Sequence, residues 1–378
     1  MTINFSCAGI ELQLQRWPLE QKNRSLQAWD AADELLIEQG LSVLQQKTNS
    51  SVLVLNDAFG ALSCALGERS HISIGDSYIS EQAMAYNRAQ NQLSAQAVQW
   101  QDSMRPWPDK PDLVLLKIPQ QHSYLRFLLQ KLSQVIHPET VILAAGKAKD
   151  LHQNLLDIFR QELGPVEASL QHKKCRYLRC QWQGQVRELS APAKWQAAES
   201  QLNLINYAAV FSREQLDIGA RFLLEHLPVT DNALVADLGC GNGVLGLELM
   251  HQQPQAQLVF FDDSYQAIAS AKASLAANPE LQASQAEFHV DDCMSQQPDK
   301  SLDWVICNPP FHQQQAVTEH IALQMFKDAK RCLKSGGRLR VVANRHLPYY
   351  VHLKQSFGHC RIVAGNPKFV ILEAIKRN

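Results

Sequence analysis

Residues 234–246 read LVADLGCGNGVLG, an apolar run followed by a glycine-rich loop and the start of a helical stretch. Three glycines at alternate positions, Gly239, Gly241 and Gly243, allow the backbone to turn sharply and to approach a ligand without an intervening Cβ atom. A strand, a glycine loop and a helix in this order are typical of nucleotide-binding α/β folds. The stretch therefore predicts a Rossmann-like domain in the second half of the chain.

Two acidic residues accompany this loop. Asp237 precedes the glycines in a D-x-G-x-G-x-G pattern, and Asp262 ends the next apolar strand, 262 − 243 = 19 residues after Gly243. This spacing is close to the value of about 20 for a carboxylate that binds ribose hydroxyls. A dinucleotide site is the alternative, but it requires G-x-G-x-x-G, and an acid at position 237 would repel a pyrophosphate. The acid favours a ligand with a cationic amine and a sulfonium, which predicts S-adenosylmethionine as the cofactor.

A second motif, Asn308-Pro309-Pro310-Phe311, follows the predicted strand 304–307. It therefore lies at the carboxyl edge of a sheet, where open α/β folds bind their ligands. An exocyclic amine on a base is a poor nucleophile, because its lone pair is delocalised into the ring. The Asn308 side-chain oxygen and the Pro309 carbonyl oxygen can accept hydrogen bonds from that amine, and the prolines stiffen the turn. Phe311 offers a face for stacking of the base, so all four residues are predicted as catalytic.

The order of strands and helices occurs twice along the chain. In the second half, strands are predicted at 234–238, 257–262, 287–290, 304–307 and 337–343, with helices at 265–277 and 317–333 and a helix stop at Gly336-Gly337. In the first half, corresponding strands are predicted at 51–56, 71–74, 112–119 and 141–144. The predicted fold class is α/β, with two tandem Rossmann-like domains at 1–188 and 204–378 and a linker at 189–203.

The first half lacks the residues that would carry the chemistry in the second. Lys117 stands where the second half has Asn308, and Ile118 stands in place of Pro309. The loop at 57–60 has no alternating glycines, and the bulky Phe59 would obstruct a cofactor. We therefore expect a degenerate domain that binds no methyl donor and positions RNA, with a purely structural role as the alternative.

Bulk composition excludes several classes of protein. The chain has 378 residues, 46% of them hydrophobic and 19% charged, which describes an ordinary globular protein of more than one domain. We find no signal peptide and no apolar stretch of roughly 18 residues that would span a membrane. Nine scattered cysteines contain no C-x-x-C pair, so we expect reduced thiols, no bound metal, a cytoplasmic location and, by default, a monomer. The net charge of −1 requires any RNA affinity to come from local patches.

The motifs and the duplicated plan resemble the bacterial ribosomal RNA guanine-N2 methyltransferases, in which a degenerate class I methyltransferase domain precedes an active one. Residues 26–34 (LQAWDAADE), 308–314 (NPPFHQQ) and 342–346 (VANRH) are most similar to the family members that act on the large subunit. The resemblance runs nearly end to end. It implies methylation, with S-adenosylmethionine, of the N2 amine of one guanine in 23S ribosomal RNA, guanine 1835 in the family's naming.

The resemblance also extends the candidate sites. Asp292, after the predicted strand 287–290, is preferred over Asp291 as the acceptor for an adenine amino group, with solvated acids at a strand end as the alternative. The candidate cofactor-binding residues are Asp237, Gly239, Cys240, Gly241, Asn242, Gly243, Asp262, Asp263, Asp292 and Asn308. The register within each acidic pair, at 262–263 and at 291–292, stays open. The candidate RNA contacts are Lys173, Lys174, Arg176 and Arg213, the last in a loop expected to close over the cofactor.

Other functions remain open at this point. Similar N-P-P-aromatic motifs occur in enzymes that methylate adenine in DNA or a glutamine amide in protein, although tyrosine or tryptophan is common where this chain has Phe311. Methylation of a guanine in 16S ribosomal RNA is a second alternative, and a non-catalytic RNA-binding assembly factor is a third. An intact Asn308 and glycine loop argue against the third, because a binding protein needs neither.

Overall fold

The computed structural model describes residues 3–19, 26–47, 49–230, 232–310 and 315–377, except for the side chains of 315–319. The chain divides into two compact units, Met1–Ala191 and Pro192–Asn378. Each unit contains a seven-stranded sheet with helices packed against it, and most neighbouring strands of each sheet are parallel. This confirms the predicted fold class, α/β with two tandem Rossmann-like domains.

The first unit begins with an amino-terminal hairpin that is separate from its seven-stranded sheet. Its elements in chain order are β1 (Ile3–Cys7), β2 (Ile10–Leu14), α1 (Ala31–Gln46), β3 (Val52–Leu55), α2 (Ala61–Ala65), β4 (His71–Gly75), α3 (Tyr78–Gln90), β5 (Val98–Asp102), β6 (Leu113–Lys117), α4 (His122–Ser133), β7 (Val141–Lys147), α5 (Gln153–Glu162), β8 (Val166–Ala168) and β9 (Cys175–Cys180). The strand order is β5-β4-β3-β6-β7-β9-β8. All four residues of β3 are buried and apolar, as expected for a parallel strand with both faces covered.

The second unit begins with a hairpin of its own. Its elements are β10 (Ala193–Gln196), β11 (Asn203–Asn206), α6 (Ile218–Leu224), β12 (Leu234–Leu238), α7 (Val244–Gln252), β13 (Gln257–Asp262), α8 (Tyr265–Ala276), β14 (Ala286–Val290), β15 (Leu302–Cys307), α9 (Gln315–Cys332), β16 (Leu333–Asn344), α10 (Tyr349–Phe357), β17 (Cys360–Gly365) and β18 (Phe369–Ile375). The strand order is β14-β13-β12-β15-β16-β18-β17. Strand β12, the third in this order, thus delivers the glycine loop between β13 and β15.

The two sheets have the same strand order, with β3 in the place of β12, β4 in that of β13 and β6 in that of β15. One central residue in each sheet pairs with a residue on either side, Leu55 with Ile74 and Leu116, and Leu238 with Phe261 and Cys307. This register relates the two units residue by residue. The corresponding positions are Gly239 and Asn56, Gly241 and Ala58, Gly243 and Gly60, Asp262 and Gly75, and Asn308 and Lys117.

Two local features differ from the pattern predicted from sequence. The helix stop predicted at Gly336-Gly337 is wrong, because α9 ends at Cys332 and β16 begins directly after it. The pairing of β15 with β16 is irregular between Leu302 and Trp304, so the glycines lie in a bulge of the strand, with Gly336 at a φ of +79°.

The segment predicted as a linker, residues 189–203, contains β10, which pairs with β11 in the second unit. Trp195 of β10 lies opposite Leu204, which is fully buried in the core of that unit. The second unit accordingly begins at Pro192. Its first strand is short and flanked by polar residues, which is why the sequence pattern indicated a linker.

No helix in the described part of the chain is long and apolar enough to cross a membrane. All nine cysteines are free thiols. Within the described ranges, no group of three or more histidine, cysteine, aspartate or glutamate side chains is arranged to hold a metal ion.

Candidate active site

The glycine loop connects β12 to α7 at the carboxyl edge of the second sheet. Gly239, Gly241 and Gly243 have φ angles of +74°, +56° and +84°, which other residues rarely adopt. A Cβ atom on Gly239 would lie 3.1 Å from the Met325 Cε atom, and one on Gly243 would lie 3.0 Å from the Ala271 Cβ atom. A Cβ atom on Gly241 would meet nothing within 4 Å. Gly241 is therefore the point where a ligand can approach the backbone.

Asp262, at the end of β13, holds this loop in place. Its Oδ2 atom accepts a hydrogen bond from the Gly241 N–H at 2.9 Å, and its Oδ1 atom accepts one from the Ser264 N–H at 2.9 Å. Burial raises the pKa of Asp262 above its ordinary value. A carboxylate has about four acceptor sites, so Asp262 keeps the capacity to accept hydroxyl groups. Asp263 follows it and is half-buried.

Asp237 lies beneath the loop and is fully buried. Its Oδ2 atom accepts a hydrogen bond at 2.9 Å from the Gly246 N–H in the first turn of α7. Its Oδ1 atom is buried and has no hydrogen-bond partner among the described residues. The pKa of Asp237 is raised to about 7, chiefly by desolvation and to a smaller extent by the negative charge of Asp262, while the Gly246 hydrogen bond opposes the shift. A positive charge near the loop would favour the ionised form.

Cys240 and Asn242 are also buried, at 5% and 7% exposed. The Asn242 Nδ2 atom donates to the Asn206 Oδ1 atom at 2.9 Å, and its Oδ1 atom accepts from the Val244 N–H at 3.1 Å. Burial raises the pKa of the Cys240 thiol well above its ordinary value. These two side chains therefore fix the shape of the loop from its inner side.

The two acidic residues after β14, Asp291 and Asp292, make different hydrogen bonds. Both carboxylate oxygens of Asp291 accept hydrogen bonds locally, from the Ser295 hydroxyl and from the Gln296 N–H. The Asp292 Oδ1 atom instead accepts from the Gln324 Nε2 atom of α9 at 2.8 Å. Burial raises the pKa of Asp292 to about 6. This arrangement favours Asp292 over Asp291 as the candidate ligand-binding acid.

Asn308 directly follows β15, the strand beside β12. Its Nδ2 atom donates to the Asp217 Oδ2 atom at 3.2 Å. Its Oδ1 atom is buried and has no partner in the described part of the chain. Pro309 is buried and Pro310 is exposed, whereas Phe311 lies outside the described residues. The site thus presents one buried amide oxygen that can accept a hydrogen bond.

Asp217 was missed by the sequence reasoning. It is the N-cap of α6, where its Oδ2 atom accepts a hydrogen bond from the Ala220 N–H at 3.0 Å. An aspartate before a helical stretch is a cap signal, and 91 residues separate it from Asn308. Only the fold brings the two side chains together.

The segment that joins β11 to α6 passes along the carboxyl edge of the sheet. Near its start, the Ala209 N–H donates to the Gln266 Oε1 atom in the first turn of α8 at 2.9 Å. At its end, Asp217 contacts Asn308. Because α8 follows β13 and Asn308 follows β15, the segment crosses from one side of the glycine loop to the other. Arg213 lies within it and forms an ion pair with the neighbouring glutamate.

The basic residues predicted as RNA contacts in the first unit lie at and after a tight turn. Lys173 and Lys174 are exposed, with φ angles of +43° and +67°, in the turn closed by the pairing of His172 with Cys175. Lys173 forms a 2.7 Å ion pair with Glu34. Arg176 follows the turn and is half-buried.

The glycine loop, the acid at the end of the next strand and the N-P-P motif after β15 together define a methyltransferase domain. A family model described as "Methyltransferase small domain" matches residues 201–373, and one described as "RLMG N-terminal domain" matches residues 2–184. The protein is thus an enzyme of the methyltransferase class.

Relatives that match along their full length show which family of methyltransferases the chain belongs to. "Ribosomal RNA large subunit methyltransferase G" of Pseudoalteromonas translucida is 44% identical over 100% of this chain and 99% of its own length. The protein of the same name from Shewanella sp. (strain W3-18-1) is 45% identical over 100% of both chains. The chain belongs to the ribosomal RNA large subunit methyltransferase G family.

A solved structure agrees with the fold. The T. thermophilus 16S rRNA N2 G1207 methyltransferase RsmC, in complex with AdoMet and guanosine, has a TM-score of 0.78 with this chain. It is 20% identical, and the match covers 100% of this chain and 98% of that chain. At this identity, the likeness describes the fold alone.

Proposed function

We propose that the second unit transfers a methyl group from S-adenosylmethionine to the N2 amine of a guanine in 23S ribosomal RNA. The observation that carries this proposal is the Asn308 Oδ1 atom, a buried acceptor with no partner among the described residues, beside the glycine loop. An exocyclic amine supplies the N–H donor that such an oxygen requires. The names of the full-length relatives support large-subunit RNA as the substrate.

The residues around the glycine loop fit S-adenosylmethionine. The backbone at Gly241 is open to a ligand, and three acidic side chains with raised pKa values lie toward the carboxyl ends of the neighbouring strands β12, β13 and β14, namely Asp237, Asp262 and Asp292. Asp262 would bind the ribose hydroxyls, and Asp292 would bind the adenine amino group. The negative charge of Asp237 would favour the positive charge of the bound donor. When bound, S-adenosylmethionine supplies a methyl group on a positively charged sulfur.

Asn308 and Pro309 would then position the amine. The Asn308 Oδ1 atom and the Pro309 carbonyl oxygen each accept an N–H of the amine, which directs its lone pair out of the ring plane. The lone pair would form the new N–C bond as the methyl group leaves sulfur, which would keep the electron pair of the C–S bond, and the proton that N2 then loses would pass to solvent water. An oxygen that accepts from N2 also stabilises the positive charge that develops there. Phe311 is proposed to stack on the base.

The first unit is proposed to hold the RNA. Lys174, exposed at its turn, together with Lys173 and Arg176, would contact phosphates and make binding sensitive to salt. Arg213 is proposed to act from the segment that crosses the second site. The proposed substrate implies a cytoplasmic location.

Methyl transfer to ribosomal RNA from a strain that lacks the enzyme tests this function. With labelled S-adenosylmethionine, we expect label in N2-methylguanosine from large-subunit RNA. Asn308→Ala should lower the rate by roughly 100- to 1000-fold, as loss of one oriented hydrogen-bonding group at a reacting centre does. Any loss of affinity for the methyl donor should be much smaller than this loss of rate.

The contradictory result is equally specific. A protein that binds the donor but labels no RNA, naked or in particles, would exclude the guanine reaction. Label on 16S RNA, DNA or protein instead would assign a different substrate to the same site.

A further inference from the structure

The orientation of the Asn308 amide is set by one neighbour. The Nδ2 atom donates to the Asp217 carboxylate at 3.2 Å. A carboxylate oxygen accepts hydrogen bonds and repels another oxygen, so the amide cannot flip without replacing an attraction with a repulsion. The Oδ1 atom must therefore point away from Asp217, where it has no partner in the described chain.

Asp217 is itself held independently of Asn308. The same Oδ2 atom caps α6 by accepting from the Ala220 N–H at 3.0 Å. This helix is anchored by Gly219, Ala220 and Leu223, which are buried. A carboxylate that is fixed by a packed helix can position a neighbouring side chain, whereas two mobile side chains cannot position each other.

The first unit contains a corresponding contact, in which the capping aspartate pairs with a lysine and not with an asparagine. Asp30 caps α1 by accepting from the Ala32 N–H at 2.9 Å. It also forms a 2.7 Å ion pair with Lys117, the residue that corresponds to Asn308. In both units, an aspartate N-cap thus contacts the residue at or directly after the end of the corresponding strand, β6 in the first unit and β15 in the second. The contact is a feature of the duplicated fold, and in the second unit it acts on an amide.

We propose that Asp217 is a positioning residue for methyl transfer, because it holds the Asn308 amide with its oxygen toward the reacting amine. This inference rests on the proposed function. The carboxylate also polarises the amide, which strengthens Oδ1 as an acceptor while positive charge develops on N2. Asp217 itself does not touch the substrate.

Two substitutions separate positioning from helix capping. Asp217→Ser retains a good N-cap but is too short to reach Asn308. We expect its kcat to fall roughly 10- to 100-fold, as for loss of a hydrogen bond to a charged group, with unchanged Tm and donor KM. Asp217→Asn keeps an oxygen for both bonds and should recover most of the rate, to within about fivefold of the native protein.

Asp30→Ser is the matched control, since it makes the same cap substitution in the first unit and should leave kcat unchanged. The inference is overturned if Asp217→Ser has native kcat. It is also overturned if Asp217→Ser and Asp217→Asn lose rate equally and in proportion to their loss of Tm, which would assign Asp217 to capping alone.

A spectroscopic measurement tests the contact without any activity. In protein with 15N-labelled asparagine, Asn308→Ala identifies the Asn308 side-chain NH2 signals. Asp217→Ser should shift both signals and Asp30→Ser should shift neither. Unmoved signals in Asp217→Ser would exclude the contact. A native protein that methylates no RNA but shows these shifts would refute the proposed function and leave the orientation of Asn308 established.

Discussion

The two units share a fold and differ where a methyl donor would bind. At the end of the second strand of each sheet, Asp262 anchors the glycine loop in one unit, whereas Gly75 stands there in the other. A Cβ atom on Gly75 would lie 3.6 Å from the Trp100 ring, so an aromatic side chain lies beside the position that the acid takes in the second unit. The first unit thus lacks the carboxylate proposed to hold the ribose.

The glycines show which features the fold itself requires. Gly60 and Gly243 both have φ near +80°, and a Cβ atom on Gly60 would lie 2.6 Å from the Met84 Cα atom. This glycine is present in both units because packing demands it. Gly241, whose Cβ would meet nothing, corresponds to the exposed Ala58 in the first unit. Two of the three glycines differ between the units, Gly239 (Asn56 in the first unit) and Gly241 (Ala58), and of these two only Gly241 has open space where a Cβ atom would lie, which supports a ligand there.

Gly241→Val is expected to have the largest effect. The added side chain would project to the open side of the loop, and the φ of +56° disfavours a β-branched residue. Donor affinity should fall at least 100-fold, about 3 kcal/mol, in a calorimetric titration. Ala58→Val makes the matched change in the first unit and should alter neither donor affinity nor methyl transfer. A native affinity for Gly241→Val would contradict the proposed site.

Lys117→Met tests the first unit, through its free energy of unfolding. Lys117 is largely buried and pairs with Asp30 at 2.7 Å and with Asp33 at 2.6 Å. Removal of the ammonium leaves two carboxylates together, which should lower the free energy of unfolding of the first unit by about 2 kcal/mol, given its partial exposure. Denaturant unfolding measures this loss. Donor affinity should not change, and a loss of donor binding would give the first unit a role in the cofactor site.

The acidic site should make donor affinity depend on pH. Burial raises the pKa of Asp237 to about 7 and that of Asp292 to about 6, so both carboxyls lose their protons as pH rises from 5.5 to 7.5. A cationic ligand favours the ionised forms. Affinity should therefore increase about tenfold over this interval, with release of protons on binding. Calorimetry in buffers of different ionisation enthalpy measures both the affinity and the number of protons released.

Asp237→Asn should flatten this dependence. Asp57→Asn is its control, because burial raises the pKa of Asp57 to about 6 in the unit that we propose binds no donor. An affinity that falls as pH rises, or an unchanged slope in Asp237→Asn, would remove Asp237 from the site.

Local patterns predicted most of the fold. The strands Leu234–Leu238 and Gln257–Asp262 have the predicted bounds, because continuous apolar runs mark buried parallel strands. The D-x-G-x-G-x-G loop and the N-P-P motif likewise fall at the carboxyl edge of one sheet. The strand Ala193–Gln196 was not predicted, because it has few apolar residues.

The features of the site that could not be predicted from sequence depend on contacts between residues that are distant along the chain. Asp217 reads as a helix cap, and its approach to Asn308 follows from the packing of α6. The inward orientation of Asn242 depends on Asn206, which lies 36 residues earlier. The prediction for Phe311 falls outside the described residues and stays a prediction.

The central claim is that one unit retains a methyl-donor site and the other has lost it. Calorimetric titration of the native chain with S-adenosylmethionine measures this directly, with Gly241→Val beside it. We predict one donor per chain, with affinity at least 100-fold lower in the variant. Two donors per chain, or one donor that binds Gly241→Val with native affinity, would contradict the account.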